Sequence, residues 1–260
     1  MICALKLGGS VVTDKDKPFT EGRDVIKRLV TEIKEAMGED PELGLIVGNG
    51  GGSFPHQPAE EGKLKDGIVA DWQYEFLAKT QLAATELNNI IQKEFISQGV
   101  PSFSIRPSSL GVASDDRILG LEKKHIEALL EKRIVPLVYG DVFVDLKRGC
   151  SIVSTEELLL ELAKIIKMDR LIIGTNVDGL LGRKEKLVKE VNPSNLKKLE
   201  KFMGGAKNTD VTGGMKHKVE IMMVASRFVP EIRIVNALKA DYVKRALLGE
   251  PLGTKVTHND

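Results

Sequence analysis

The residues best suited to chemistry cluster in two glycine-rich turns. Near the N-terminus a short apolar run meets Lys6-Leu7-Gly8-Gly9-Ser10, and a second apolar run, Leu43 to Val47, leads into Gly50-Gly51-Gly52-Ser53-Phe54. Each turn closes a strand-like segment and precedes helix-forming sequence. Glycine lets the main chain approach an anion closely, and the N–H groups at a helix start point at it. Lys6 adds a positive charge just ahead of the first glycines. Two such turns imply one phosphate-handling site, and hence a phosphotransferase. The chain has no G-x-x-x-x-G-K-[ST] loop, and no G-x-G-x-x-G follows Leu7, so neither a P-loop nor a dinucleotide fingerprint explains the glycines.

Other residues could complete that site. Lys15, Lys17 and Lys218 are candidates to surround a transferring phosphoryl group, because such transfer depends on charge neutralisation and alignment more than on a general base. Thr209-Asp210-Val211-Thr212-Gly213-Gly214-Met215 opens a helical run carrying Lys218. This turn is either a further anion seat or a plain cap on Thr212. His56 lies in Phe54-Pro55-His56-Gln57-Pro58, read as a proline-stiffened loop beside the second glycine turn. There it can donate to a phosphate oxygen, whose charge favours the protonated ring. Asp141 and Glu156 are the acids nearest the crevice. They could hold lysines in place or bind Mg²⁺ through water. Alternatively Asp141 forms a turn and Glu156 is a first-turn acid favoured by the helix dipole.

The bulk properties exclude several partners. The 260 residues carry 29% charged side chains and a formal net charge of +1, so no global field recruits nucleic acid or an anionic membrane. Aromatics make up 5%, with no basic-aromatic face for stacking on bases. No apolar run approaches the roughly 20 residues that span a bilayer. Met1 to Leu7 is too short for a signal peptide. Cys3 and Cys150 form no metal or disulfide pattern, which fits a reducing cytoplasm.

The elements that must position these residues alternate between strand and helix. Strands are expected at Cys3 to Leu7, Leu43 to Val47, Ser102 to Ile105, Ile134 to Tyr139, Arg170 to Ile173, Ile232 to Val235 and Thr254 to Thr257. A hairpin is expected from Val142 to Val153 around Lys147-Arg148-Gly149. Helices are expected at Arg23 to Met37, Asp71 to Ser97 with a break near Leu82, and Lys123 to Glu131. Further helices fall at Thr155 to Ile166 with Thr155 as cap, Asn195 to Phe202, Gly214 to Ser226 and Asp241 to Leu248. Such alternation implies a mostly parallel sheet covered by helices on both faces. Its ligand crevice should lie at the carboxyl ends of the strands, where the turns after Leu7, Val47, Tyr139 and Ile173 fall. A soft boundary near Arg170 separates substrate loops, residues 1–169, from nucleotide loops, residues 170–260, within one domain.

Taken in order, Lys6-Leu7-Gly8-Gly9-Ser10, Gly50 to Phe54 with His56, Tyr139-Gly140-Asp141, Gly174-Thr175-Asn176-Val177-Asp178-Gly179, and Asp210 to Met215 with Lys218 resemble the amino acid kinase superfamily. Within it the set is similar to the archaeal-type isopentenyl phosphate kinases. The resemblance implies a three-layer αβα sandwich, usually a homodimer, that phosphorylates isopentenyl phosphate with ATP and Mg²⁺. It implies that Lys6 touches the transferring phosphate and that Gly8, Gly9 and Ser10 line the ATP phosphates. Gly51 and His56 would hold the substrate phosphate, with Gly52 on the nucleotide side. Lys15 would stabilise the transition state, Asn176 and Gly214 would lie at the nucleotide, and Lys218 would reach its phosphates.

Four positions depart from the family pattern. Asn49 replaces a usual His, Pro55 a usual Gly, and Asn176 an Asp; Thr155-Glu156 stand in place of Gly-Asp after Ser154. Glu156 keeps the charge that orders the lysines, and Thr155 adds a side chain beside the substrate phosphate. Competing readings are a kinase for another small phosphate, phosphonate or carboxylate, and a regulatory homologue that only binds nucleotide. The retained Lys6, Lys15 and Lys218 argue against the latter, and His56 argues against a carboxylate acceptor. An apolar substrate tail is expected against Ile68, Val69, Trp72, Phe76, Leu77 and Gln81.

Overall fold

The structure, a computed structural model, describes residues 1–14, 16–203 and 214–258. Its strands are β1 (Ile2–Leu7), β2 (Gly44–Asn49), β3 (Ser102–Ser104), β4 (Ala113–Ser114), β5 (Arg117–Ile118) and β6 (Val135–Tyr139). They continue with β7 (Asp141–Asp145), β8 (Gly149–Val153), β9 (Arg170–Thr175), β10 (Glu190–Val191), β11 (Glu231–Asn236) and β12 (Thr254–Val256). The helices are α1 (Gly9–Val12), α2 (Arg23–Glu39), α3 (His56–Glu61), α4 (Gln73–Ser97) and α5 (Lys124–Glu131). They end with α6 (Thr155–Ile165), α7 (Pro193–Leu199), α8 (Gly214–Ala225) and α9 (Tyr242–Leu247).

Eight strands form the main sheet in the order β10-β12-β11-β9-β1-β2-β6-β3. Every ladder in it is parallel except that between β11 and β12. Successive side chains of a strand point to opposite faces, and both faces of this sheet are apolar. Cys3, Leu5 and Leu7 of β1 pack with Leu29 of α2, Leu87 of α4 and Leu247 of α9. Ala4 packs on the opposite face with Ile126 of α5, Leu159 of α6 and Val219 of α8. The result is the expected three-layer αβα sandwich. It also places Lys6, two residues after Ala4, on the α6 face at the carboxyl end of the central strand.

A smaller sheet, β5-β4-β7-β8, stands beside the sandwich. Its turn was not legible as a hairpin, because Asp115 and Asp116 take positive φ of 55° and 63° without an Asn-Gly signal. Buried Asp145 holds that turn. Its carboxylate accepts the N–H groups of Asp115 at 3.1 Å and Asp116 at 2.9 Å. It also accepts those of Lys147 and Arg148, each at 2.9 Å, and the Ser151 hydroxyl at 2.6 Å.

Three local expectations are corrected. His56 begins helix α3 rather than sitting in a loop; the helix has only six residues and contains Pro58, so no periodicity reveals it. Helix α4 runs unbroken past Leu82. The cap of α6 is Ser154, whose hydroxyl accepts the Glu157 N–H at 3.2 Å while the Glu157 carboxylate accepts the Ser154 N–H at 2.7 Å. This reciprocal pair makes Thr155 the first helical residue and Glu156 the second.

Burial works against the charge of Asp145, but the Ser151 hydroxyl and the surrounding N–H groups outweigh it and hold the carboxyl well below the usual range. A depressed pKa contributes stability that is present above the unfolded value of about 4 and lost as pH falls through the lower folded value. Asp145→Asn is therefore expected to lose about 2–3 kcal/mol at pH 7, the worth of charged hydrogen bonds. Denaturation midpoints measured at pH 7 and below pH 4 should converge between variant and wild type at the acid end.

Candidate active site

The carboxyl ends of β1, β2, β6 and β9 lie together because these strands are parallel neighbours. A cavity of about 650 Å³ opens at that edge. The two glycine turns form its centre, back to back. A Cβ on Gly9 would come within 2.4 Å of the Gly52 nitrogen, and Gly52 itself has a φ of +56°. No side chain fits between the turns, so each main chain is the other's wall. Gly8 N–H donates to the Gly174 carbonyl at 3.0 Å and Gly50 N–H to Leu7 at 2.8 Å, joining the loops after β1, β2 and β9. The Thr13 hydroxyl donates to Gly9 O at 2.8 Å and accepts the Ser53 N–H at 3.0 Å, which stitches the chain after α1 to the second turn.

Lys6 and Glu156 meet in this centre as a buried ion pair, each about 5% exposed. Strand alternation brings Lys6 to the α6 face, and the Ser154 cap sets Glu156 one residue into the helix opposite. Burial alone would raise the Glu156 carboxyl, but the ammonium groups of Lys6 and Lys218 outweigh it and hold it below its ordinary value. A single carboxylate thus faces a lysine from β1 and another from α8. Lys218 extends from the first turns of α8, where its ammonium lies 3.5 Å from the Gly214 carbonyl.

Of the other candidates, Gly8, Gly9, Ser10, Gly51, Gly52, His56, Thr155, Asn176, Gly214 and Lys218 all line the cavity. His56 stands on the first turn of α3, its ring edge near Gly51, against which the Pro55 ring is packed. The Thr155 hydroxyl donates to the Asn49 carbonyl at 2.7 Å, so this side chain braces the second glycine turn as well as bordering the cavity. Asp141 lines the wall with its carboxylate accepting the N–H groups of Ser108 and Val142. Burial pushes that carboxyl up despite these bonds. Lys17 is not brought to the site: it is 72% exposed at its side chain and sits 3.7 Å from Asp14. Lys15 and the Thr209 to Gly213 stretch lie outside the described residues. Among the described residues no group of three His, Cys, Asp or Glu side chains is placed to hold a metal ion.

The apolar end of the cavity differs from expectation. None of Ile68, Val69, Trp72, Phe76, Leu77 and Gln81 lines it. Val69 is 80% exposed and Trp72 50%, while Phe76 and Leu77 pack behind the wall on Leu64 and Ala59. The wall is made instead by Ala59, Thr80, Ala84, Val142, Ile152 and Val153. Thr80 and Ala84 are small residues one helical turn apart on α4, and they leave space on the face that borders the cavity. Beyond β9, Val177, Leu180, Leu181 and Met203 form a second apolar region.

A sequence model of the amino acid kinase family matches residues 1–236. The chain belongs to the amino acid kinase family. Isopentenyl phosphate kinase of Methanocaldococcus jannaschii is 34% identical over 269 residues, covering 100% of both chains. The enzyme of the same name from Methanothermobacter thermautotrophicus is 34% identical, over 97% of this chain and 98% of its own. A solved isopentenyl phosphate kinase superposes with a TM-score of 0.83 at 29% identity, covering 99% of this chain and 100% of that one. The likeness extends through all layers of the fold rather than being confined to the glycine turns.

A buried polar chain supports the second turn in this family member. The Asn88 amide of α4 donates to Asn49 Oδ1 at 2.8 Å, and the Ser104 hydroxyl donates to Asn88 Oδ1. Asn49 and Asn88 are both nearly inaccessible. Asn88→Ala strands the buried Asn49 amide oxygen and removes the partner of the half-buried Ser104 hydroxyl, and is expected to lower stability by about 1–3 kcal/mol. An unchanged urea midpoint would contradict that arrangement.

Proposed function

We propose that this chain transfers the γ-phosphoryl group of ATP to isopentenyl phosphate, giving ADP and isopentenyl diphosphate. The observation that carries the reading is the buried Lys6–Glu156 pair beside the two glycine turns, in one cavity that is also lined by an apolar wall, by His56 and by the β9 loop. Residues 1–169 are assigned chiefly to the acceptor and residues 170–260 chiefly to the nucleotide, with Gly8, Gly9 and Ser10 lining the ATP phosphates. Gly52 faces the nucleotide phosphates across Gly9, and Asn176 and Gly214 border the nucleotide.

The acceptor is already an anion, so its oxygen attacks the γ-phosphorus without a base to deprotonate it. The protein's task is to bring two anions together in line and to offset the charge on the equatorial oxygens. Lys6 and Lys218, both close enough to Glu156 to lower its carboxyl, supply that charge, and Lys15 is assigned to the same role. Glu156 keeps the Lys6 ammonium aimed into the centre. His56 and the Gly51 main chain hold the acceptor phosphate, while Ala59, Ala84 and Ile152 take up its apolar tail. A carboxylate acceptor such as an amino acid has no use for that wall or for a phosphate-directed imidazole.

Mg²⁺ enters with ATP, held by phosphate oxygens and water. The buried carboxylates are otherwise engaged, Glu156 by lysines and Asp141 by main-chain N–H groups. A Mg²⁺ ion often keeps several waters and relies on substrate phosphates. The assembly is assigned as a homodimer in the cytoplasm, the first of which sedimentation equilibrium tests. No described helix is long and apolar enough to cross a membrane.

His56→Ala is expected to reduce kcat/KM for isopentenyl phosphate by tenfold to a hundredfold, about 1.5–3 kcal/mol, with the KM for ATP little changed. Steady-state kinetics with each substrate varied in turn checks this, and an unaltered kcat/KM for the phosphate acceptor would refute the assignment.

Glu156→Gln is expected to fold but turn over slowly, because the amide keeps the shape and loses the charge that holds an ammonium. Glu156→Asp should retain substantial activity. The depressed carboxyl implies that the pair's stabilisation is complete above about pH 4.3, the unfolded value, and fades as pH falls through the lower folded value. Full kcat in Glu156→Gln, with only a slightly lower thermal midpoint, would reduce Glu156 to a first-turn helix acid.

A further inference from the structure

Residues Thr175 to Gly182 run from the last residue of β9 through the loop that follows it, and all of them except Asp178 line the main cavity. Asp178 turns the other way, into a second cavity of about 520 Å³. The two cavities therefore share one loop as their common wall.

The second cavity is lined by Glu190 of β10, Arg233 of β11 and Lys255 of β12, at the outer end of the main sheet, and by Tyr242 of α9. Glu190, Lys255 and Arg233 stand side by side there, paired across β10, β12 and β11. Side chains directly opposite in neighbouring strands share a face, so the floor presents two adjacent cations, Lys255 and Arg233, with one acid, Glu190, on the edge strand. Lys189 and Lys239 add two more cations at the rim. Only Asp178 and Glu190 oppose them among the lining residues. Lys255 stays 3.9 Å from Glu190, a loose contact. Arg233 is anchored by Glu231 at 2.7 Å and by the Leu252 carbonyl at 3.3 Å, which fixes its guanidinium as part of the floor. The Tyr242 ring lies under Lys239, 5.3 Å from its ammonium.

Lys239 is the link between the cavities. Its ammonium binds the Asp178 carboxylate at 2.7 Å, and the Asn236 amide donates to the same carboxylate at 2.8 Å. Both partners come from β11 and the turn after it. An anion entering the cavity meets Lys239, Lys189 and Lys255 together and competes with Asp178 for the first of them.

From this geometry we infer that the second cavity is a regulatory site for a small polyanion of the diphosphate class. The bound anion draws Lys239 from Asp178, frees the loop at residues 175–182 and weakens nucleotide binding on its other face. The coupling half of this inference rests on the assignment of that loop to the nucleotide; the binding half does not.

Calorimetric titration with inorganic diphosphate at fixed free Mg²⁺ tests it on the intact protein. Wild type should show a binding event that Lys189→Ala/Lys255→Ala weakens at least tenfold, since neither lysine touches the main cavity. Lys189→Glu, on the exposed rim, should do the same if the double variant proves unstable. Equal binding by wild type and both variants, or no binding by wild type, would overturn the site. In kinetics, diphosphate should raise the KM for ATP severalfold more in wild type than in the variants. Identical inhibition in all three proteins would overturn the coupling. A protein that binds diphosphate through Lys189 and Lys255 but phosphorylates no isopentenyl phosphate would uphold the site while refuting the proposed kinase activity.

Discussion

A buried ammonium needs a carboxylate, and this requirement organises the centre of the molecule. Lys6 lies at the end of a strand whose other residues are almost entirely apolar. Without Glu156 it would carry an uncompensated charge out of water, an arrangement that typically costs several kcal/mol. The pair forms only when two independent facts agree. Strand β1 must hold its register against β2 and β9, because a slip by one residue would turn Lys6 toward the α2 and α4 layer. Helix α6 must also begin at Thr155, which the Ser154–Glu157 exchange of hydrogen bonds ensures. The ion pair reads out the success of both, and it leaves a lysine pointed at the place where two glycine turns meet.

Those turns show why the site is rigid without being crowded. Gly9 and Gly52 approach so closely that neither tolerates a side chain. The junction is therefore walled by main chain alone. Thr155 and Asn49 then act as a joint brace. The Thr155 hydroxyl reaches the Asn49 carbonyl, and the Asn49 side chain is held by Asn88 of α4. Two of the positions that depart from the family pattern are thus in direct contact, and the polar chain they form continues to Ser104 at the sheet edge. Helix α4 and the second glycine turn are joined through it.

Much of this was legible in the residues because the strongest signals are periodic. The apolar strands and the longer helices follow from alternation and from 3.6-residue spacing, and both glycine turns fall where strands end. The sequence left Glu156 open between holding lysines, binding Mg²⁺ through water and favouring the helix dipole, and its pairing with Lys6 becomes visible only once β1 and α6 are placed face to face. The elements that carry no periodic signal are short or conformationally unusual. Helix α3 is six residues interrupted by proline, and the β4–β5 turn uses two aspartates in the left-handed region, held there by a carboxylate distant in sequence. The cap of α6 was misplaced by one residue, since Ser154 and Thr155 are both capping types and only the reciprocal bond to Glu157 distinguishes them. The apolar wall of the cavity differs from expectation for another reason. Large apolar residues such as Trp72 and Phe76 attract attention, but a ligand needs space, and space is left by Ala59, Thr80 and Ala84.

The most direct test of the account is the identity of the bond formed. Phosphorus NMR of the purified protein with ATP, Mg²⁺ and isopentenyl phosphate, run beside a parallel sample containing glutamate, distinguishes a new phosphoanhydride from an acyl phosphate. The account predicts that the monophosphate signal is replaced by the coupled pair of a diphosphate ester as ADP accumulates, with glutamate unchanged. Conversion of glutamate with isopentenyl phosphate left intact would contradict it, as would failure to consume ATP with either acceptor.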